Sequence, residues 1–153
     1  PEFLANAIDN PLRRRAQPPD AMPRRMGVQP GITVLEVGPG NGRYTMTFAR
    51  AVGPEGRVVA LDVEPKMVQR TAARAATEGI TNLEAVVGDV YALQYPDEAF
   101  DAVVMITVAG ELPDLPRAFA EFWRVLKPGG TLAFGELLFD PDFPIPTRLA
   151  SQK

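Results

Sequence analysis

The run Thr33-Val-Leu-Glu-Val-Gly-Pro-Gly-Asn-Gly42 constrains this chain more than any other segment. Apolar Val34, Leu35 and Val37 surround the carboxylate of Glu36. Glycines then follow at alternate positions, Gly38, Gly40 and Gly42, with Pro39 and Asn41 between them. The apolar part predicts a buried parallel strand, which is covered on both faces and so lacks polar alternation. The glycines predict the turn leaving it, where the backbone bends sharply and approaches a ligand with no Cβ in the way. Arg43 to Val52 reads as a helix, so the loop sits at a strand-to-helix junction. Open α/β sheets bind nucleotide-like ligands at such junctions.

The spacing narrows the choice. A dinucleotide loop is G-x-G-x-x-G, and reading from Gly38 the third glycine would fall where Arg43 stands. The chain has G-x-G-x-G instead, with Glu36 two places ahead, and no hydride-transfer site is recognisable. An NAD-linked oxidoreductase is therefore the weaker alternative. Arg57 to Asp62 is a second short apolar strand ending in a carboxylate, twenty residues past Gly42. A ribose-binding acid falls about there in such folds. A carboxylate can accept charge-assisted hydrogen bonds from both vicinal hydroxyls.

Further elements follow in order. Pro65 suits a first helical turn, Val68, Thr71, Ala72 and Ala75 recur at helical spacing, and Gly79 is a C-terminal stop. A third strand, Leu83 to Val87, leads into Gly88-Asp89-Val90. A fourth is expected from Ala102 to Ile106 and a fifth from Thr131 to Leu138. Between them, Leu115 to Lys127 reads as a helix with Leu115, Phe119, Phe122, Trp123 and Leu126 on one face. Lys127 at its end suits the helix dipole, and Pro128-Gly129-Gly130 stops it.

In this order the motifs resemble those of the class I S-adenosylmethionine-dependent methyltransferases. Val34-Leu-Glu-Val-Gly-Pro-Gly-Asn-Gly42 is similar to the family's first motif. Asp62-Val-Glu-Pro-Lys-Met67 resembles its D-x-S-x-x-M, with Glu64 in place of serine. Gly88-Asp89-Val90 and Arg124-Val-Leu-Lys-Pro-Gly-Gly130 match two later motifs, so the resemblance covers about residues 30–138. It implies a Rossmann-like three-layer α/β sandwich with a mainly parallel sheet, ordered 3-2-1-4-5-7-6 in the family. It also implies S-adenosylmethionine as cofactor and S-adenosylhomocysteine as product. The implied cofactor-binding residues are Glu36, Gly38, Pro39, Gly40, Asn41, Gly42, Asp62, Val63, Gly88, Asp89, Val90 and Thr107. Among these, Asp62 would take the ribose and Asp89 the adenine amino group. The implied activity is methyl transfer to a small molecule, with quinone- and sterol-type enzymes as relatives. A cofactor-binding module without catalysis is the alternative.

Several residues keep a second reading. Asp62 could be an ordinary strand-end acid, and Asp89 could merely open an Asx turn. A carboxylate inside an apolar strand is costly unless paired; Glu36 either meets loop amides and the cofactor's amino group or only braces the loop. No catalytic residue is identified. Glu111 is a candidate base with a plain surface acid as its alternative, and Tyr44 and Thr107 could line the site by position. Met105-Ile-Thr-Val-Ala109 replaces the Asn/Asp-Pro-Pro-aromatic motif of enzymes that methylate nucleic-acid bases. It also lacks the acidic metal cluster of catechol-type enzymes, so no metal is expected.

The ends differ from the middle. Of sixteen prolines, six fall in residues 1–30 and three between Asp140 and Pro146, which disfavours long regular structure there. Residues 1–29 are read as a Pro/Arg-rich arm or lid, 30–139 as the cofactor-binding core and 140–153 as a Pro-rich tail. Asn10-Pro-Leu-Arg-Arg-Arg15 resembles segments that help cover the active site in quinone- and sterol-type relatives. Arg13, Arg14, Arg15, Arg24 and Arg25 suit either an anion or a solvated surface. The sixth and seventh strands of the family sheet have no room after strand five. Its edge should then be bare, an association liability, to be covered by a second copy of the chain or by the tail folding back. Net charge is −3, which disfavours non-specific nucleic-acid binding. Neither Cys nor His occurs, removing disulfides, a thiol nucleophile and the commonest general base. No run of eighteen apolar residues suggests a membrane span, and no signal pattern opens the sequence; the cytoplasm is the expected setting.

Overall fold

A computed structural model describes residues 18–135 and 151–152 of the chain. Among these residues six strands form one sheet in the order β3-β2-β1-β4-β5-β6. They are β1 (Thr33–Val37), β2 (Arg57–Asp62), β3 (Leu83–Val87), β4 (Phe100–Ile106), β5 (Leu126–Gly135) and β6 (Ser151–Gln152). The first five run parallel and β6 antiparallel. The expected 3-2-1-4-5 order is therefore present. Among the described residues four α-helices accompany it: α1 (Met22–Arg25), α2 (Arg43–Val52), α3 (Pro65–Thr77) and α4 (Leu115–Val125).

Period-two alternation builds the layers. Val34, Val58, Ala102, Val104 and Ile106 pack on one face with Phe48, Ala49 and Val52 of α2. Met22, Met26 and Val28 join that cluster, so the end of the Pro/Arg-rich segment is packed onto the sheet domain. Leu35, Val37, Val59, Leu61, Val103 and Met105 point the other way, onto Ala118, Phe122 and Val125 of α4. Burial of a side chain such as Phe122 contributes about 1.5–3 kcal/mol. Helices cover both faces, which is why the strands read as continuous apolar runs.

Glu64 caps α3, its carboxylate accepting from the Lys66 N–H at 3.4 Å. At the other end, Ile80 N–H reaches Ala75 O and Gly79 N–H reaches Ala76 O, the Schellman pattern that makes Gly79 a stop. Thr71 and Ala75 of the predicted apolar face are buried, whereas Ala72 is exposed. Helix α3 lies along the β2–β3 margin of the sheet and presents a narrow seam.

Three expectations need correction. Helix α4 ends at Val125, not Lys127, because Leu126 is already extended (φ −82°, ψ 130°) and pairs with Phe100. Its wholly buried side chain is held by the sheet. Lys127 consequently does not serve the helix dipole; its Nζ meets Asp101 Oδ1 at 2.8 Å. Strand β4 begins two residues early, and a register shift between Phe100 and Ala102 takes up Lys127 to Gly130. Finally, a further strand does follow β5: in antiparallel β6, Ser151 lies opposite Leu132 and Gln152 opposite Thr131. The tail, one of the two covers foreseen, reaches this edge. The expected end of strand five at Leu138, the Pro-rich stretch after it, and Asn10 to Arg15 lie outside the described residues.

Candidate functional site

Register gathers the loops. Val86, Leu61, Val37, Met105 and Phe134 form one row across the sheet, so the chain leaves β3, β2, β1 and β4 at a common edge. After β1 it crosses to β2 on one side, while β4 enters on the other. That is the switch point at which open α/β sheets bind ligands.

The glycine loop is the floor of this edge. Gly38, Gly40 and Gly42 all have positive φ, at +66°, +57° and +72°, a region open to glycine at little cost. Gly38 N–H donates to Leu61 O at 2.9 Å, tying β1's exit to β2's, and Gly42 N–H donates to Pro39 O at 2.9 Å. Asn41 is exposed, and its Oδ1 accepts from Arg43 N–H at 3.2 Å. Gly42 caps α2 without a side-chain acceptor. The first amides of that helix therefore aim at the loop, an arrangement that favours polar and anionic ligand groups.

Glu36 lies beneath the loop, 3% exposed. Burial pushes its carboxyl from an ordinary 4.5 to about 8; the Thr45 hydroxyl opposes the shift and the Asp62 charge adds to it. The two side chains face each other, yet neither Glu36 Oε2 nor Thr45 Oγ1 completes a well-formed hydrogen bond with any group among the described residues. A buried carboxyl oxygen without a partner is expensive and points to a ligand or water that would complete it.

Asp62 ends β2, half-buried. Desolvation raises its pKa, against hydrogen bonds from the Glu64, Gly40 and Val63 amides and together with the nearby Glu64 charge. The Glu64 N–H lies 2.9 Å from Oδ1. Val63 beside it is 74% exposed, an apolar face open at the site. Gly88 N–H donates to Asp62 O at 3.0 Å, which sets the third loop against the second. Asp89 is exposed, and its Oδ1 accepts from Tyr91 N–H at 2.8 Å, so the Asx turn is formed. Val90 is buried among Leu35, Val37 and Leu61. Thr107 follows β4 with φ +54°, a strained conformation for a β-branched residue. Its N–H reaches Gly135 O at 2.8 Å. Tyr44 on α2 packs beside the Phe48 cluster, and Glu111 lies exposed on a 3-10 turn, Ala109–Glu111.

Three contributors were not assigned to the site from sequence. Thr71 Oγ1 donates to Gly40 O at 3.3 Å, Thr45 faces Glu36, and Val108 packs on Gly38. A threonine on the apolar seam of a helix, as at 45 and 71, is the pattern that could have revealed two of them. Among the described residues no group of three His, Cys, Asp or Glu is placed to hold a metal, and no helix is long and apolar enough to cross a membrane.

The fold and this edge define a class I S-adenosylmethionine-dependent methyltransferase domain. Residues 34–130 match the Methyltransferase domain family, and the chain belongs to it. A ubiquinone/menaquinone biosynthesis C-methyltransferase of Hydrogenovibrio crunogenus is 39% identical over 107 residues, covering 69% of this chain and 42% of that protein. A SAM-dependent methyltransferase structure from Aquifex aeolicus superposes with a TM-score of 0.82 at 28% identity, over 95% of this chain and 78% of that one. A 4+2 cyclase is also similar, with a TM-score of 0.71 and 31% identity over 77% of this chain and 43% of its own. The chain spans less than half the length of the curated relatives it matches. S-adenosylmethionine is the family's cofactor. The donor set suits it: an orphaned buried carboxyl oxygen, a loop closed to any Cβ at Gly38, and a strand-end carboxylate.

Proposed function

We propose that this chain binds S-adenosylmethionine along the β1–β4 switch edge and directs its methyl group to a small organic acceptor. The observation that carries the reading is the unpartnered carboxyl oxygen of Glu36 beneath the glycine loop, with Asp62 at the adjacent strand end. When bound, the cofactor supplies a methyl already activated by its sulfonium, for in-line displacement by the acceptor. The protein's task is then alignment, and proximity of this kind can lower a barrier by about 7–11 kcal/mol.

The roles follow position. Gly38, Pro39, Gly40, Asn41 and Gly42 would hold the amino-acid moiety against the amides opening α2, with Glu36 accepting from its ammonium group. Asp62 would accept both ribose hydroxyls, and exposed Val63 would pack on the adenine. Gly88, Asp89 and Val90 would bound the adenine from the third strand. Thr107 and Tyr44 would line the path to the acceptor, and Val108, packed on Gly38, would exclude water there. Glu111 is the candidate for taking a proton when the acceptor needs one. Net charge −3 favours an organic acceptor over nucleic acid, and the reading includes a cytoplasmic setting. Similarity to a cyclase keeps a second reading, a cofactor-binding domain that performs other chemistry.

Photolabelling with methyl-tritiated S-adenosylmethionine tests the assignment. Label should concentrate in the peptides containing Gly38 and Asp62, and excess S-adenosylhomocysteine should abolish it. Label spread evenly over the chain would contradict the site.

A further inference from the structure

We propose that Tyr91 is a positioning residue that couples occupancy of the cofactor edge to the segment after β4, residues 107–114. The inference rests on the site described above and adds a mechanical link that the site does not itself require.

The link is a closed set of contacts. Asp89 Oδ1 accepts from Tyr91 N–H at 2.8 Å, so the adenine-side aspartate sets the Tyr91 backbone. The Tyr91 hydroxyl oxygen accepts from Asp114 N–H at 3.1 Å, across 23 residues of sequence. Arg117 Nη2 donates to Tyr91 O at 3.4 Å, and its guanidinium lies 5.1 Å from the Tyr91 ring centroid. Asp114 is also the N-cap of α4, its Oδ1 accepting from Arg117 N–H at 3.1 Å. Asp89, Tyr91, Asp114 and Arg117 thus join the loop after β3 to the start of α4.

The same segment is held at its other end by a second cofactor loop, through Val108 against Gly38. Between these anchors lie a single 3-10 turn and exposed Gly110 and Glu111. The two anchors differ in kind. Val108 is apolar packing beside the strand ends, whereas the Tyr91 anchor is a set of exposed polar contacts around a partly buried ring. Polar exposed contacts exchange readily with water, so Tyr91 is the adjustable one. A ligand that fixes Asp89 fixes Tyr91, and through Asp114 it stiffens the segment carrying Glu111. Coupling of this sort is a difference in free energy between two arrangements, and it is measured only by perturbing the link.

Amide hydrogen exchange with and without S-adenosylhomocysteine tests this in the wild type, Tyr91→Phe and Gln94→Ala. Phenylalanine keeps the ring under Arg117 and removes only the acceptor for Asp114 N–H. Gln94, whose side chain bonds Ala92 O in its own loop, is the control. Ligand should slow exchange at 88–92 and at 110–115 in the wild type and in Gln94→Ala. In Tyr91→Phe the slowing at 88–92 should persist, while that at 110–115 falls about fivefold, the worth of one net hydrogen bond. A merely structural Tyr91 would raise exchange at 110–115 equally with and without ligand. That result would overturn the proposal, as would a ligand response at 88–92 alone in the wild type. No response at either segment would overturn the cofactor site, and the coupling with it.

Discussion

Val108 occupies the space that a side chain at Gly38 would need: a Cβ built there would lie 2.5 Å from Val108 Cγ2 and 3.2 Å from Cγ1. Both methyl groups branch from one carbon, so the side chain cannot swing aside at its tip. Gly38→Ala therefore adds a steric clash to the cost of a positive φ, about 1–2 kcal/mol for an L-residue. Thermal unfolding of the variant should shift down by roughly 5–10 °C. The double variant Gly38→Ala/Val108→Ala should recover part of the loss and not all, since only the clash is relieved.

Glu36 gives a pH signature. Its folded-state pKa of about 8 lies above the ordinary 4.5, so the folded protein holds a proton that the unfolded chain releases. The sign follows: this stabilisation is fully present below about pH 4.5 and is lost as pH rises to about 8. Wild-type stability attributable to this group should fall by roughly 2–4 kcal/mol across that interval. Glu36→Gln, nearly isosteric and without a titration, should flatten the dependence and exceed the wild type in stability at pH 8. Denaturant titrations at a series of pH values measure both.

Asp62 separates ligand binding from folding. Asparagine keeps an oxygen for the Glu64 N–H and removes the charge. Hydrogen bonds to charged groups are worth about 1.5–3 kcal/mol, so Asp62→Asn should weaken S-adenosylhomocysteine binding about 10- to 150-fold. Its unfolding midpoint should stay close to that of the wild type.

Arg124 holds the long link between β3 and β4. Its guanidinium reaches Leu93 O at 3.0 Å, Tyr95 O at 2.8 Å and Asp97 Oδ1 at 2.9 Å. Glu121, its partner on α4, accepts from Leu93 N–H at 2.8 Å. A lysine cannot reproduce this fork, because its ammonium is a single point of donation. Arg124→Lys should raise the rate of limited proteolysis within residues 93–98 several-fold, and Lys127→Arg should not.

How far the sequence carried depends on where each signal resides. The glycine loop, Asp62 and the Asp89 turn were legible because short-range backbone geometry dictates their residue types. The end of α4 was misplaced because apolar periodicity continued through Leu126, while tertiary pairing with Phe100 had already drawn that residue into the sheet. Thr45 and Thr71 escaped notice because a threonine within an apolar seam resembles core, and its polar role exists only once Glu36 and Gly40 are brought to it. The β6 strand is two residues long and has no pattern of its own; the edge of β5 creates it. The burial of Met22, Met26 and Val28 was hidden by the prolines and arginines around them.

Calorimetric titration with S-adenosylhomocysteine, with NAD as control and Asp62→Ala beside the wild type, decides which cofactor the glycine loop and Asp62 bind. Saturable heat is expected with S-adenosylhomocysteine alone, clearly weakened in Asp62→Ala. Saturable heat with NAD in place of S-adenosylhomocysteine, or equal affinity in the variant, would contradict the S-adenosylmethionine site.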